Sequence, residues 1–214
     1  NMPQLQSVRY LDPYFGTHRP KDFEKHAAAY FEKEFPIPKK ETVRAARAAY
    51  AAYAQYEAEV RAKGQEIIDY ARANGYKILV MAGRPYHIDP EINHGIDELA
   101  TTYGFCLITE DAVSYRMDRE ARHVLNQWTF QARMYNAARY VCTQPDMQLV
   151  QLVSFGCGTD AITTDEMRSI LESGGKLYTQ LKIDEISNLG AVRIRLRSLM
   201  AAIEAREASQ KEGN

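Results

Sequence analysis

The chain has 214 residues, with 27 Lys and Arg against 28 Asp and Glu, a formal net charge of -1 and a pI near 6.6. That balance argues against nucleic acid or an anionic membrane surface as partner, and no apolar run reaches the roughly 20 residues of a membrane span. No signal peptide opens the chain, and three cysteines without a regular framework read as reduced thiols of a cytoplasmic protein. The length suits one α/β domain with an appendage. Asn1 ahead of Met2 reads as the remnant of a cleaved tag, which would make the chain a domain cut from a larger protein.

Residues 1–40 hold Pro3, Pro13, Pro20, Pro36 and Pro38, five of the eight prolines, and read as an arm with room for one short helix over 22–35. From 41 to 73 the composition turns to Ala, Glu, Lys, Arg and Gln, strong helix formers. Val43, Ala46, Tyr50, Tyr53, Val60 and Ile67 recur on one stripe, which predicts a long helix with a sticky face, its tyrosines at 50, 53 and 56 packed and Gly64 its weak point.

Residues 74–206 read as the α/β domain, followed by a polar tail over 207–214. Asn74-Gly75 closes the long helix. An apolar run at 78–82 is fit for an inner strand, and the loop 83–88 follows it. Asp89 as cap with Pro90 behind it starts a helix that the pattern carries to Tyr103, where Gly104 stops it. A second strand covers 105–109 and ends in Glu110-Asp111, and a helix is expected over 118–143. The third strand spans 148–154. Thr163 and Glu166 then have the spacing of a capping box for a helix running to Glu172. A fourth strand at 176–183 ends before Asp184-Glu185, and a last helix covers 188–206.

Strands alternating with helices on short loops predict a doubly wound, Rossmann-like or flavodoxin-like parallel sheet of about four strands in the order 2-1-3-4. Strands 1 and 3 are then neighbours at the topological switch point, where ligands bind outside the carboxyl ends of the strands. The loops 83–88 and 154–158 are therefore expected to face each other across one crevice. Its candidate residues are Arg84, Tyr86, His87, Asp89, His94, Glu110, Asp111, Cys157, Asp160, Asp184 and Glu185.

Within Ser154-Phe155-Gly156-Cys157-Gly158-Thr159-Asp160-Ala161 a thiol sits between two glycines on a strand-to-helix turn. A helix N-terminus favours negative charge, so Cys157 is the cysteine best placed to become a thiolate. The alternative is a tight turn holding a small apolar residue. Gly156 to Ala161 fits the looser GxGxxA form of a phosphate loop. His87, His94 and Cys157 are residue types that ligate zinc or iron, and a Cys157–His87 nucleophilic pair is a further arrangement to weigh, against loop and rim histidines bonded to backbone. Cys106 and Cys142 fall inside a strand and a helix and read as packing residues.

Gly83-Arg84-Pro85-Tyr86-His87-Ile88-Asp89-Pro90-Glu91-Ile92-Asn93-His94-Gly95-Ile96, Leu107-Ile108-Thr109-Glu110-Asp111, Ser154-Phe155-Gly156-Cys157-Gly158 and Leu181-Lys182-Ile183-Asp184-Glu185 resemble the C-terminal, dehydratase-like region of the large CoA-substrate-specific enzyme activases. That family groups with the activators of 2-hydroxyacyl-CoA dehydratases in anaerobic metabolism and joins this region to ATPase modules of the actin and hexokinase type. The resemblance covers most of residues 41–200, the arm adding little. The run 149–200 is also similar to the last cluster-bearing segment of the dehydratase subunits. That similarity implies Cys157 as an iron-sulfur ligand, Asp184 or Glu185 as the acidic position, and Arg193 or Arg195 as a helix arginine. The sequence departs from that pattern in Gly158-Thr159-Asp160 after the cysteine.

The resemblance implies a domain of an ATP-coupled, electron-transferring activator whose crevice contributes to an iron-sulfur or acyl-CoA-related site completed elsewhere. A cluster is expected only in a full-length protein and none on this chain alone, since a cubane takes four thiolates. The expected partners are the ATPase modules, with a dehydratase or reductase subunit or a second copy, and neither nucleic acid nor membrane. Two other readings stand beside it: a non-catalytic scaffold or docking domain with a degenerate crevice, and a free-standing small-molecule-binding enzyme using Cys157.

Overall fold

The computed structural model describes residues 8–118, 120, 126–154, 158–183 and 189–212. By its internal contacts the chain divides into residues 1–58 and 59–214.

The first unit contains α1 (Pro20–Glu34) and the opening of α2 (Lys39–Ala73). Pro20 occupies the first turn of α1, where its missing N–H costs nothing. The unit is held by ring edges: Phe15 meets Phe23 and Tyr30 edge-on with centroids 5.8 and 5.6 Å apart, and Phe23 meets Tyr50 at 5.9 Å. Tyr50 Oη also donates to Thr17 O at 2.7 Å, and Arg47 grips both carboxylate oxygens of Glu24. Tyr53 and Tyr56, expected to pack in a core or an interface, are exposed on this chain, so they do not join its core.

The second unit is a four-stranded sheet in the order β2-β1-β3-β4, every pair parallel. Its strands are β1 (Lys77–Ala82), β2 (Phe105–Thr109), β3 (Met147–Val153) and β4 (Thr179–Lys182). The helices are the end of α2, α3 (Pro90–Asn93), α4 (Ile96–Thr101), α5 (Thr129–Cys142), α6 (Gly158–Ser173) and α7 (Gly190–Glu212). β1 after Lys77 and all of β3 are buried, and apolar except for Gln148 and Gln151, because both faces of the sheet are covered, as parallel sheets require. Ile78, Val80 and Ala82 point into one core with Met134, Ala138 and Val141 of α5 and Met167 and Leu171 of α6. Leu79 and Met81 point into the other, with Leu99 of α4 and Leu196 and Leu199 of α7. Each fully buried Leu or Ile contributes about 1.5–3 kcal/mol, so the two cores dominate the unit's stability.

Gly64, the expected weak point of α2, lies within the helix where it meets the turn after β2. A Cβ there would meet the Ala112 Cβ at 2.5 Å, so the glycine lets the helix press against the turn after β2.

Five boundaries differ from the sequence reading. The expected helix over 89–103 breaks in two, because His94 and Gly95 both take left-handed backbone, with φ of 56° and 79°. The helix expected from 118 begins only at Thr129; ahead of it, Glu110–Ala112 and Ser114–Arg116 form single 3-10 turns. Residues 119 and 121–125 of that expected helix lie outside the described residues. Thr163 and Glu166 do not cap α6, which starts five residues earlier at Gly158; Thr163 lies inside it and its hydroxyl donates to Thr159 O at 2.7 Å. The fourth strand is shorter than 176–183 at its start, where Lys176 instead donates to Gln144 O at 2.5 Å and Met147 O at 2.9 Å. The last helix continues past 206 to Glu212.

Candidate functional site

The carboxyl ends of β1 and β3 lie side by side, with Ala82 paired to Gln151. After Ala82 the chain turns at once, and Gly83 is what permits it: a Cβ there would meet His87 Nδ1 at 2.5 Å and Leu152 Cβ at 3.2 Å. The 3-10 turn Pro85–Ile88 then folds the His87 ring back over the strand end, where it is 2% exposed. Asn93, also buried, donates to His87 O and accepts from Asp97 N, both at 3.0 Å, which pins the loop to the start of α4.

The hydrogen bonds fix the state of the imidazole. Arg84 N–H donates to His87 Nδ1 at 3.0 Å, so the ring proton of the neutral form sits on Nε2 and donates to Ser154 Oγ, 3.2 Å away. Burial, and then the charge of Arg84, lower the His87 pKa to about 4, with Asp160 opposing. His87 therefore has neither nitrogen open to act as a base, which disfavours a nucleophilic pair with a cysteine. It is a strut.

Arg84 bridges this end to α6. One guanidinium nitrogen donates to Asp160 Oδ1 at 2.5 Å and another to Tyr86 Oη at 3.0 Å, while Tyr86 Oη lies 3.5 Å from Ser154 Oγ. Asp160 is buried, and among the described residues its second oxygen has no hydrogen-bond partner. Arg84, Tyr86, His87 and Asp160, named from sequence, are thus brought together. Ser154 joins them at the centre although the motif containing it was read for its cysteine, and Asn93 had no sequence signal beyond lying in the loop.

Glu110 and Asp111 form a separate group at the end of β2. Glu110 is 5% exposed and pairs with Arg133 of α5 at 2.6 Å; Asp111 accepts from Thr109 Oγ1 at 2.5 Å and lies 4.0 Å from Arg133. Burial raises the Glu110 pKa to about 7 against the pull of Arg133. The Arg133 partner was invisible in sequence, 23 residues away on another element.

The remaining candidates are dispersed. Asp89 is exposed and accepts from Glu91 N at 3.0 Å, the helix cap that the sequence implied. His94 is exposed in left-handed backbone. Cys157, Asp184 and Glu185 lie outside the described residues. Cys106 in β2 and Cys142 in α5 are partly buried, and burial raises both thiols. Among the described residues no group of three His, Cys, Asp or Glu is placed to hold a metal ion, and no helix is long and apolar enough to cross a membrane.

Comparison with known proteins is consistent with the loop resemblance and extends it to the arm. No curated protein and no solved structure matches the chain at a significant level. A family model described as CoA enzyme activase uncharacterised domain (DUF2229) matches residues 1–113, from the arm through the Arg84 loop to the end of β2. Covering just over half of the 214 residues, that match establishes that the chain belongs to this CoA enzyme activase domain family.

Proposed function

We propose that the chain is a non-autonomous domain of an ATP-coupled, electron-transferring activator of the 2-hydroxyacyl-CoA dehydratase system, and that its switch-point crevice takes part in an acyl-CoA-related site completed by other domains or subunits. The direction of the crevice hydrogen bonds carries this reading. His87 donates to Ser154 and Arg84 donates to Tyr86, and the two hydroxyls lie 3.5 Å apart, so when one donates to the other the second keeps its proton for an acceptor. A thioester carbonyl and a phosphate oxygen are both such acceptors. With His87 neutral down to pH about 4, the crevice binds and orients and does not move protons.

An iron-sulfur cluster does not fit the described residues. A cubane takes about four thiolates, whereas the described cysteines, Cys106 and Cys142, sit within packed elements and are held protonated by burial. Cys157 would be the one thiol this chain offers to a cluster whose other ligands lie elsewhere, and the crevice's role in binding is independent of it.

Titrating the 214-residue chain with CoA while recording amide and side-chain NMR shifts tests the reading, since the method detects contacts weaker than millimolar. Shifts should concentrate at Gly83, Tyr86 and Ser154, and Tyr86→Phe should weaken binding by up to about tenfold, the worth of one hydrogen bond. No shift at these positions, or equal binding by Tyr86→Phe and Ser154→Ala, would overturn it. The docking-domain reading is favoured by one observation, the uncovered stretch 51–56 of α2 with Tyr53 and Tyr56 exposed, and it predicts that CoA leaves the crevice untouched.

A further inference from the structure

β4 is an outer strand of the sheet, paired with β3 on one side. Ile183 N–H donates to Val153 O at 2.7 Å, so the backbone groups of Thr179, Leu181 and Ile183 face β3. Alternation along a strand then turns the N–H and C=O of Gln180 outward. Among the described residues no strand pairs with β4 on that side.

Beside this edge runs a groove of about 310 Å³, small for a metabolite pocket, which spans roughly 300–1,000 Å³. Leu177, Tyr178 and Thr179 form one wall, and Ile194, Ser198 and Ala202 of α7 form the other. The three α7 residues recur every fourth position, one stripe along the helix, and Ile194 is 66% exposed while its neighbours Leu196 and Leu199 are buried in the core. A helix flank with an apolar residue and two small ones, lying alongside an open strand edge, is the surface against which a further strand packs.

The charge around the groove selects the occupant. Arg195 lines it, and the Arg168 guanidinium lies 5.1 Å from the centre of the Tyr178 ring, whose hydroxyl is anchored on Gln151 at 2.9 Å. Neither arginine pairs with a carboxylate among the described residues, and Arg193 and Arg197 stand exposed on the same helix. Among the described residues Asp165 is the acidic group whose charge acts on Tyr178, opposed by those of Arg168 and Arg195. A second copy of the chain pairing edge to edge would set these cations against their own images, which is unfavourable. We infer that the β4 edge and the α7 groove form a docking site for an extended acidic segment of a partner polypeptide, added to the sheet as a fifth strand with small or apolar side chains facing α7 and carboxylates facing Arg168 on the α6 side, while Arg195 in the groove adds to the positive field along the edge. This surface is independent of the crevice reading.

The probe is a fluorescein-labelled, end-capped peptide alternating Glu and Val over seven residues, with a Lys and Val peptide as control. Binding is read by anisotropy and by amide exchange at Gln180 in the full chain. The acidic peptide should bind and slow Gln180 exchange by about tenfold, about 1.4 kcal/mol, and the basic one should not. Arg195→Glu should abolish binding while leaving the circular dichroism and melting unchanged. Gln180→Pro should do the same, because an edge strand tolerates proline where the N–H faces solvent. Equal binding of the two peptides, binding that survives both substitutions, or a dimer in light scattering that protects Gln180 without peptide would overturn the proposal.

Discussion

The neighbouring strands β1 and β2 both end in one buried titratable side chain with an arginine close by, yet the two ends are built on different physics. At β1, His87 is neutral and held by a backbone N–H and a hydroxyl, while the charge of Arg84 is satisfied by Asp160. At β2, Glu110 is buried with its charge opposed directly by Arg133. The first arrangement is directional and indifferent to pH above about 4; the second is a charge pair whose worth depends on whether the carboxyl is ionised. A surface meant to present fixed donors to a ligand needs the first kind, which is why the β1 end is the better binding crevice.

The largest test of that contrast is Arg133→Met. Removing one partner of a buried pair costs about 3 kcal/mol, the low end of its range because Arg133 is itself 22% exposed. Urea unfolding should show that loss at pH 8 and a smaller one at pH 5, where an unpaired Glu110 takes up a proton. An equal loss at both pH values would mean that the pair is no different in kind from the His87 end. Next in size is Gly83→Ala, whose Cβ would sit 2.5 Å from His87 Nδ1 and force either the ring or the turn to move. Overpacking of this kind costs about 2 kcal/mol. It should release the Arg84 N–H, visible as faster amide exchange at Arg84, while the cost of Arg133→Met stays the same. Protection retained at Arg84 would show that the turn does not depend on the missing side chain.

The sheet was legible because the three inner-reading strands are short, mainly apolar runs bounded by glycine or a polar loop and the more polar β4 follows Gly174-Gly175, and a parallel order of 2-1-3-4 follows from short alternating connections. Helix starts were less so. Thr163 and Glu166 have capping spacing, but a threonine inside a helix bonds back to the carbonyl four residues before it equally well, and the start at Gly158 left no comparable mark. The break at Gly95 had a visible cause, since a glycine able to take left-handed backbone stood in the middle of the expected helix. Of the crevice, the loop residues Arg84, Tyr86 and His87 could be named because they fall directly after an inner strand. Which of them would be strut and which donor was decided by Ser154 and Asp160, some seventy residues later. The Glu110–Arg133 pair and the open face of Gln180 belong to tertiary structure, and no local spacing announces either.

The smallest and most discriminating effect is in the pH dependence of stability. His87 falls from its ordinary value of 6.5 to about 4 on folding, so between those values the unfolded chain holds the proton, and its contribution to stability is present above 6.5 and lost as the pH drops toward 4. Glu110 rises from 4.5 to about 7, so the folded chain holds the proton, and its contribution is present below 4.5 and lost as the pH rises through 7. Each slope approaches about 1.4 kcal/mol per pH unit, with opposite sign, and the two offset one another over the shared window. Glu110→Gln should therefore leave a protein that, relative to the parent chain, loses stability faster on acidification from 6.5. His87→Gln should do the reverse and gain stability, relative to the parent, as the pH falls from 7. Urea midpoints at half-unit pH steps on the three proteins read this directly. If the two variants deviate from the parent in the same direction, one of the two strand ends is not protonated as its surroundings require, and the contrast between them fails.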